Sequence, residues 1–213
     1  NDGLGLTFLT TVKENTDDVG FIAALLDHMI QTYTVDTNRV YVTGFSSGAN
    51  LSYLLACQLS DRFAAVAVVG SLMMEKVAED CQPTEPISLL MIQGTADPVF
   101  AWDGGQFVID RVDYGYQYSG AETLNFWLDH NECASSRQMN ALPDLAQDDN
   151  TRVWHELYNQ CSAETVVELY AMMDGGHNWS GVPSDLSSDL TVNVSYDIAA
   201  TETIWHFFAT HHR

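Results

Sequence analysis

The sequence predicts an α/β fold with a mostly parallel sheet flanked by helices. Apolar runs bounded by turn residues alternate along the chain with helical stripes. Two of those runs, Phe63 to Val69 and Ile87 to Ile92, read as parallel strands covered on both faces. A glycine- and serine-containing turn, Gly44-Phe45-Ser46-Ser47-Gly48, joins another strand to the helix that follows it.

The elements follow in order. From Asp18 to Tyr33, apolar residues at Val19, Ile22, Ala23, Leu25, Leu26, Met29 and Ile30 form a helical stripe. Asn38 to Thr43 reads as a strand ended by Gly44, and a helix follows from Ser46 to about Ser60. The two covered strands come next, the second ending at Gly94. Ser119 to His130 is helical, with Leu124, Phe126, Trp127 and Leu128 on its apolar side. Thr165 to Met172 is a further strand, and Ala199 to Thr210 closes the chain as an amphipathic helix. Between Gln138 and Glu164 the pattern gives one acidic loop and a short strand at Arg152 to Leu157. There is no repeat and no Pro/Gly-rich linker, so one domain is expected over the 213 residues.

Eight Lys+Arg stand against 29 Asp+Glu, a formal net charge of −21, while apolar residues make up 46% of the chain. That is ample material for a core and excludes a disordered acidic tail. With a pI near 4.2, the chain has no basic footprint for nucleic acid and no attraction to an anionic membrane surface. No apolar run approaches the roughly 18–20 residues that span a bilayer. The first residues, Asn-Asp-Gly-Leu-Gly, carry no leader pattern, so a signal peptide is expected to be absent or already removed. The acidity suits solubility or a saline habitat, and the sequence does not separate the two.

Cys57, Cys81, Cys133 and Cys161 form no C-x-x-C pair and no zinc-like spacing, so neither metal nor cofactor is expected. Their even number and separations of 24 and 28 suit two local disulfides, Cys57–Cys81 and Cys133–Cys161, in a secreted protein. Four buried free thiols are the alternative.

In a G-x-S-x-G turn between strand and helix, the serine sits on a strained bend and small neighbours let backbones pass closely. Gly44 and Gly48 fill the small positions, Ser46 is the candidate nucleophile, and Ser47 would offer its backbone N–H to an oxyanion. A serine needs a base, and the base an orienting acid. Asp97, in Gly94-Thr95-Ala96-Asp97-Pro98, follows a strand at the carboxyl edge of the sheet, where such sheets place their sites. An Asx-turn role is its alternative, with Asp103 and Asp113 as substitutes for the acid. His177, in Asp174-Gly175-Gly176-His177-Asn178-Trp179, follows the last strand, and its two glycines suit a flexible loop that brings the imidazole to the serine. His28, His130, His155, His206, His211 and His212 read as surface or packed histidines. Phe100, Trp102 and Trp179 flank the acid and the base as candidate substrate-binding aromatics. Tyr114, Tyr116 and Tyr118 follow at period two, as on one face of a strand.

Several blocks in register carry a family resemblance: Asp17-Asp18-Val19-Gly20-Phe21, Val40 through Gly48, Asp61 through Ala67, Gly94 through Pro98, and Gly175 through Gly181. Together they resemble the polyhydroxybutyrate depolymerase-like esterases, secreted α/β-hydrolases that include feruloyl and acetylxylan esterases. The resemblance implies an α/β-hydrolase fold and a serine esterase with Ser46 as nucleophile, Asp97 as acid and His177 as base. It also supports both disulfides and an extracellular location. Members of the family carry further strands and a His-Gly oxyanion loop upstream of the Asp-Asp-Val-Gly-Phe block. Here sixteen residues precede Asp17 and no His-Gly dipeptide occurs. The chain is therefore expected to be the C-terminal portion of a longer esterase, a naturally short variant being the alternative. Its partner would be a small-molecule or polymeric ester: feruloyl-type, short-chain or polyester. A serine peptidase using the same residues, and an inactive hydrolase-like binding protein, are the readings from other classes.

Overall fold

The structure, a computed structural model, describes residues 17–109, 111–184 and 186–213. The chain divides into two compact units, Asn1–Thr37 and Asn38–Arg213. In the first, helix α1 spans Asp18–Thr32, and the Asp17 side chain caps it by accepting the Gly20 N–H at 2.8 Å.

The second unit is built on strands β1 (Tyr41–Phe45), β2 (Ala65–Val69), β3 (Ser88–Gly94), β6 (Gln138–Ala141), β7 (Arg152–Tyr158) and β8 (Val167–Met173), and on a separate antiparallel hairpin of β4 (Gly105–Ile109) and β5 (Val112–Gln117). Its helices are α2 (Ser47–Gln58), α3 (Glu75–Glu79), α4 (Gly120–His130), α5 (Ser188–Thr191) and α6 (Ala200–Thr210). The six-stranded sheet runs β1-β2-β3-β8-β7-β6. β1, β2, β3 and β8 are parallel, whereas β7 pairs antiparallel with β8, and β6 antiparallel with β7. The register sets Val69 beside Phe45 and Ile92, and Gly94 beside Met172. The carboxyl ends of β1, β3 and β8 therefore share one edge.

Every residue of β2 and β3 is buried, as strands covered on both faces require. Ala65, Ala67 and Val69 join Leu90, Ile92, Val153 and Met172 in a core closed by Ala200, Ile204, Phe207 and Phe208 of α6. The alternate residues, Val66 and Val68, point to the opposite face, where α2 lies along β1 and β2 and touches α4 through stacked Tyr53 and Trp127. Ser119 and Glu122 cap α4 reciprocally, which explains the sharp start of that helix at a serine.

Strand bounds differ from the sequence reading at the nucleophile strand. β1 begins at Tyr41 and continues through Gly44 to Phe45, because pairing with β2 extends to Val69. β6 has no apolar periodicity and all its residues are exposed; ladder bonds to β7 create it, where the sequence shows only a loop. Tyr114 and Tyr116 lie on β5, with Tyr118 just beyond it.

Candidate active site

Ser46 stands between β1 and α2 with φ 55° and ψ −113°, a conformation a non-glycine residue adopts only under constraint. The constraint is local. Its N–H donates to the Val69 carbonyl at 2.9 Å, and its own carbonyl accepts from Ala49 and Asn50 in the first helical turn. Gly44 permits the bend, since a Cβ there would lie 2.1 Å from the Gly48 carbonyl carbon. The expectation for Gly48 is corrected: a Cβ on it would meet nothing within 4 Å. Strand and helix cross at the Gly44 side, so only that glycine is sterically required. Ser47 opens α2, so its N–H is one of the first-turn donors that the helix itself does not use.

His177 Nε2 lies 3.0 Å from Ser46 Oγ, and His177 Nδ1 lies 2.9 Å from Asp97 Oδ2. An ionised carboxylate only accepts, so Nδ1 carries the proton and Nε2 faces the serine hydroxyl as acceptor. Asp97 and His177 are both buried. Asp97 Oδ1 accepts from the N–H groups of Val99 and Phe100 at 2.7 and 2.9 Å. The Asx-turn role and the acid role thus coexist in one carboxylate, one oxygen serving each.

The glycines before His177 act through space rather than freedom. A Cβ on Gly176 would lie 2.1 Å from the Thr191 carbonyl oxygen. Gly176 and His177 donate to Asn193 and Leu190, and the buried Asn178 amide donates to Thr191 and Asn193. The loop is pinned, which corrects the expectation of a flexible one.

The expected aromatics separate. Phe100 is buried, its ring centroid 6.0 Å from that of His177 and 4.8 Å from that of Phe107. Trp102 lies over Gly120 at the start of α4. Trp179 turns to α6, donating to Thr201 Oγ1 at 3.0 Å, and meets Phe45 edge-on. Asp103 and Asp113 are exposed, and Asp113 accepts from Gln106 and Gly115. Cys57–Cys81 and Cys133–Cys161 are disulfide-bonded. Among the described residues no His/Cys/Asp/Glu group is arranged to hold a metal, and no helix is long and apolar enough to cross a membrane.

Three residues of the site escape the sequence reading. The Phe45 ring lies 4.8 Å from the imidazole. Gly70, with φ +61°, sits beneath that ring, where a Cβ would lie 2.6 Å from it. Gln93, the last side chain of β3, is buried and donates to Asp97 Oδ2 at 3.1 Å. A glutamine directly after the apolar run Leu89 to Ile92, four residues before the acid, was the available signal.

Residues 1–98 match the Prolyl oligopeptidase family, Peptidase_S9. Feruloyl esterase B of Piromyces equi is 29% identical over 169 residues, covering 76% of this chain and 29% of that protein. NocK of Nocardia uniformis subsp. tsuyamanensis, designated an esterase in its name, is 32% identical over 179 residues, covering 81% of this chain and 52% of the relative. The chain thus spans about half or less of the length of these curated relatives. The acetyl xylan esterase structure from Aspergillus awamori shares the fold, with a TM-score of 0.53 and 16% identity over 89% of this chain and 67% of that one. With its elbow between β1 and α2 and its mostly parallel sheet, the chain has the α/β-hydrolase fold, and in sequence it is similar to feruloyl esterases and related esterases.

Proposed function

We propose that the protein is a serine carboxylic-ester hydrolase with Ser46 as nucleophile, His177 as base and Asp97 as orienting acid. The observation that carries this is the unbroken relay Asp97–His177–Ser46, with contacts of 2.9 and 3.0 Å ending on a strained elbow. Ser46 Oγ attacks the ester carbonyl while its proton passes to His177 Nε2, and Asp97 stabilises the resulting imidazolium. The Ser47 N–H faces the tetrahedral oxyanion. Collapse breaks the carbon–oxygen bond to the alcohol, which leaves with the proton from Nε2. Water then attacks the acyl-enzyme, gives a proton to His177, and the acid departs as Ser46 regains its own.

The relatives' names favour feruloyl-type aryl esters, with short-chain and polyester substrates in the same class. Phe45, whose ring lies 4.8 Å from the imidazole, and Trp179, which meets Phe45 edge-on, are the proposed aromatic contacts for the acyl group. The two disulfides suit an oxidising, extracellular setting. The Prolyl oligopeptidase family match favours a second reading, a serine peptidase. Amide and ester hydrolysis share their intermediates, so substrate preference separates the two.

The test is hydrolysis of p-nitrophenyl acetate, methyl ferulate and a peptide p-nitroanilide, with Ser46→Ala alongside. Ester turnover that vanishes in the variant is expected. Peptide cleavage exceeding ester turnover would favour the peptidase. Turnover unchanged by Ser46→Ala would overturn the assignment.

A further inference from the structure

We infer that Gln93 is a positioning residue of the reaction, holding the carboxylate of Asp97 in the orientation that His177 requires. The inference rests on the relay proposed above. Gln93 is the last side chain of β3, with 1% of its surface exposed. Its Nε2 faces three acceptors: Asp97 Oδ2 at 3.1 Å, the Phe100 carbonyl at 3.2 Å and the Gly94 carbonyl at 3.3 Å. All three are oxygens that only accept, so the amide is fixed with its NH2 group toward the acid. Gln93 Oε1 is buried and has no hydrogen-bond partner among the described residues. An unpaired buried acceptor is costly, and an apolar side chain would avoid that cost. The residue's placement is therefore better explained by what its donor does than by packing.

That donor completes a set of four. Asp97 Oδ1 accepts from Val99 and Phe100, and Oδ2 from His177 and Gln93. A carboxylate has about four lone-pair sites, so this acid is saturated and cannot rotate without losing bonds. Gln93 also ties Asp97 to the backbone of Phe100, whose ring lies beside the imidazole. Without Gln93, Oδ2 keeps only His177. The carboxylate becomes freer and more basic, and a more basic partner favours the imidazolium. The base is then withdrawn at low pH, so the acidic limb of the rate profile moves to higher pH.

The measurement is the second-order rate constant for fluorophosphonate labelling of Ser46 as a function of pH. It is made on the wild-type chain, on Gln93→Met and the shorter Gln93→Leu, on Asp97→Asn, and on each double variant. Circular dichroism and thermal melts establish which variants are folded, and either Gln93 variant alone suffices. We expect labelling to slow roughly 10-fold in the Gln93 variants, with the acidic limb of the pH profile moved up. In the Asp97→Asn background the same substitutions add less than about 2-fold, because the group they act through is gone. A folded Gln93 variant with unchanged rate and limb overturns the role, and so does a cost that simply adds to that of Asp97→Asn. In both cases a slow Asp97→Asn leaves the relay standing. Ser46 that resists labelling, or labelling indifferent to Asp97→Asn, overturns the relay and the role of Gln93 with it.

Discussion

Gly94 and Gly175 meet backbone to backbone: a Cβ on Gly94 would lie 2.3 Å from the Gly175 carbonyl oxygen. Gly94 opens the turn carrying Asp97, and Gly175 stands two residues before His177. The Ala96 N–H donates to the same Gly175 carbonyl at 2.9 Å, so the loops of the acid and the base form one surface. Gly94→Ala must wedge them apart. Overpacking of this kind costs about 1–3 kcal/mol, read from urea unfolding. Misplacing the imidazole by about 1 Å is expected to slow ester hydrolysis on the order of 10²-fold. A variant with wild-type rate would show that the two loops are not mechanically coupled.

The two glycines of the elbow are expected to respond in opposite ways. A Cβ on Gly44 would collide with the backbone of α2 at Gly48 and Ala49, whereas one on Gly48 meets open space. Gly44→Ala should leave little folded, labelled enzyme. Gly48→Ala should retain activity within about 2-fold and gain up to about 0.5–1 kcal/mol, because alanine in a helix loses less chain entropy than glycine. Parallel melting curves and fluorophosphonate labelling of the two variants check this. Equal losses would mean that the pentapeptide needs both small residues.

One disulfide ties a helix to a connection, and the other joins two connections. Cys57 near the end of α2 is joined to Cys81 beyond α3, and Cys133 after α4 to Cys161 between β7 and β8. The sequence separations are 24 and 28. In the chain-entropy account, loops of that size contribute about 3.5 kcal/mol each. The double alanine variants should therefore lose similar stability in urea unfolding under oxidising conditions. Turnover at 25 °C should persist in the Cys133/Cys161 variant as long as it is folded. A loss several-fold larger at one bridge would mean that packing, not loop closure, decides its contribution.

How much of this was legible in the sequence depended on whether the signal was local. The elbow, the acid loop and the histidine loop each follow an apolar run, and parallel pairing converts that pattern into a shared edge. Ser46, Asp97 and His177 could therefore be named from chain order. β6 could not, since Gln138 to Ala141 carry no periodicity and acquire strand form only by pairing with β7. Proximity in sequence does not fix the contacts of the aromatics: Trp179 adjoins His177 in the chain, and its indole bonds to Thr201 on α6. Phe45 and Gly70 are parts of the site through contacts that no local motif encodes. The glycines before His177 read as freedom in the sequence, whereas the Met172 Cβ fills the space a side chain on Gly175 would take and the Thr191 carbonyl that of one on Gly176.

The start of α4 gives a pH-dependent prediction. The Ser119 N–H and then its hydroxyl donate to Glu122, both holding that carboxyl below the usual glutamate range. A group whose folded pKa is depressed adds stability above its unfolded pKa and loses it as pH falls through the folded value. The contribution of Glu122 is thus complete at neutral pH and fades below about pH 4. Glu122 is exposed, so its share is a capping effect and not that of a buried charge. Glu122→Ala is expected to cost on the order of 0.5–1 kcal/mol at pH 7, the usual range for a lost cap. In urea unfolding at a series of pH values, the gap between wild type and variant should close as the solution is acidified toward about pH 3. Ser119→Ala removes the reciprocal bond to the Glu122 N–H as well, so part of its cost should persist at low pH. A Glu122→Ala deficit that is constant with pH would mean that the ionised carboxylate is not what holds the helix start.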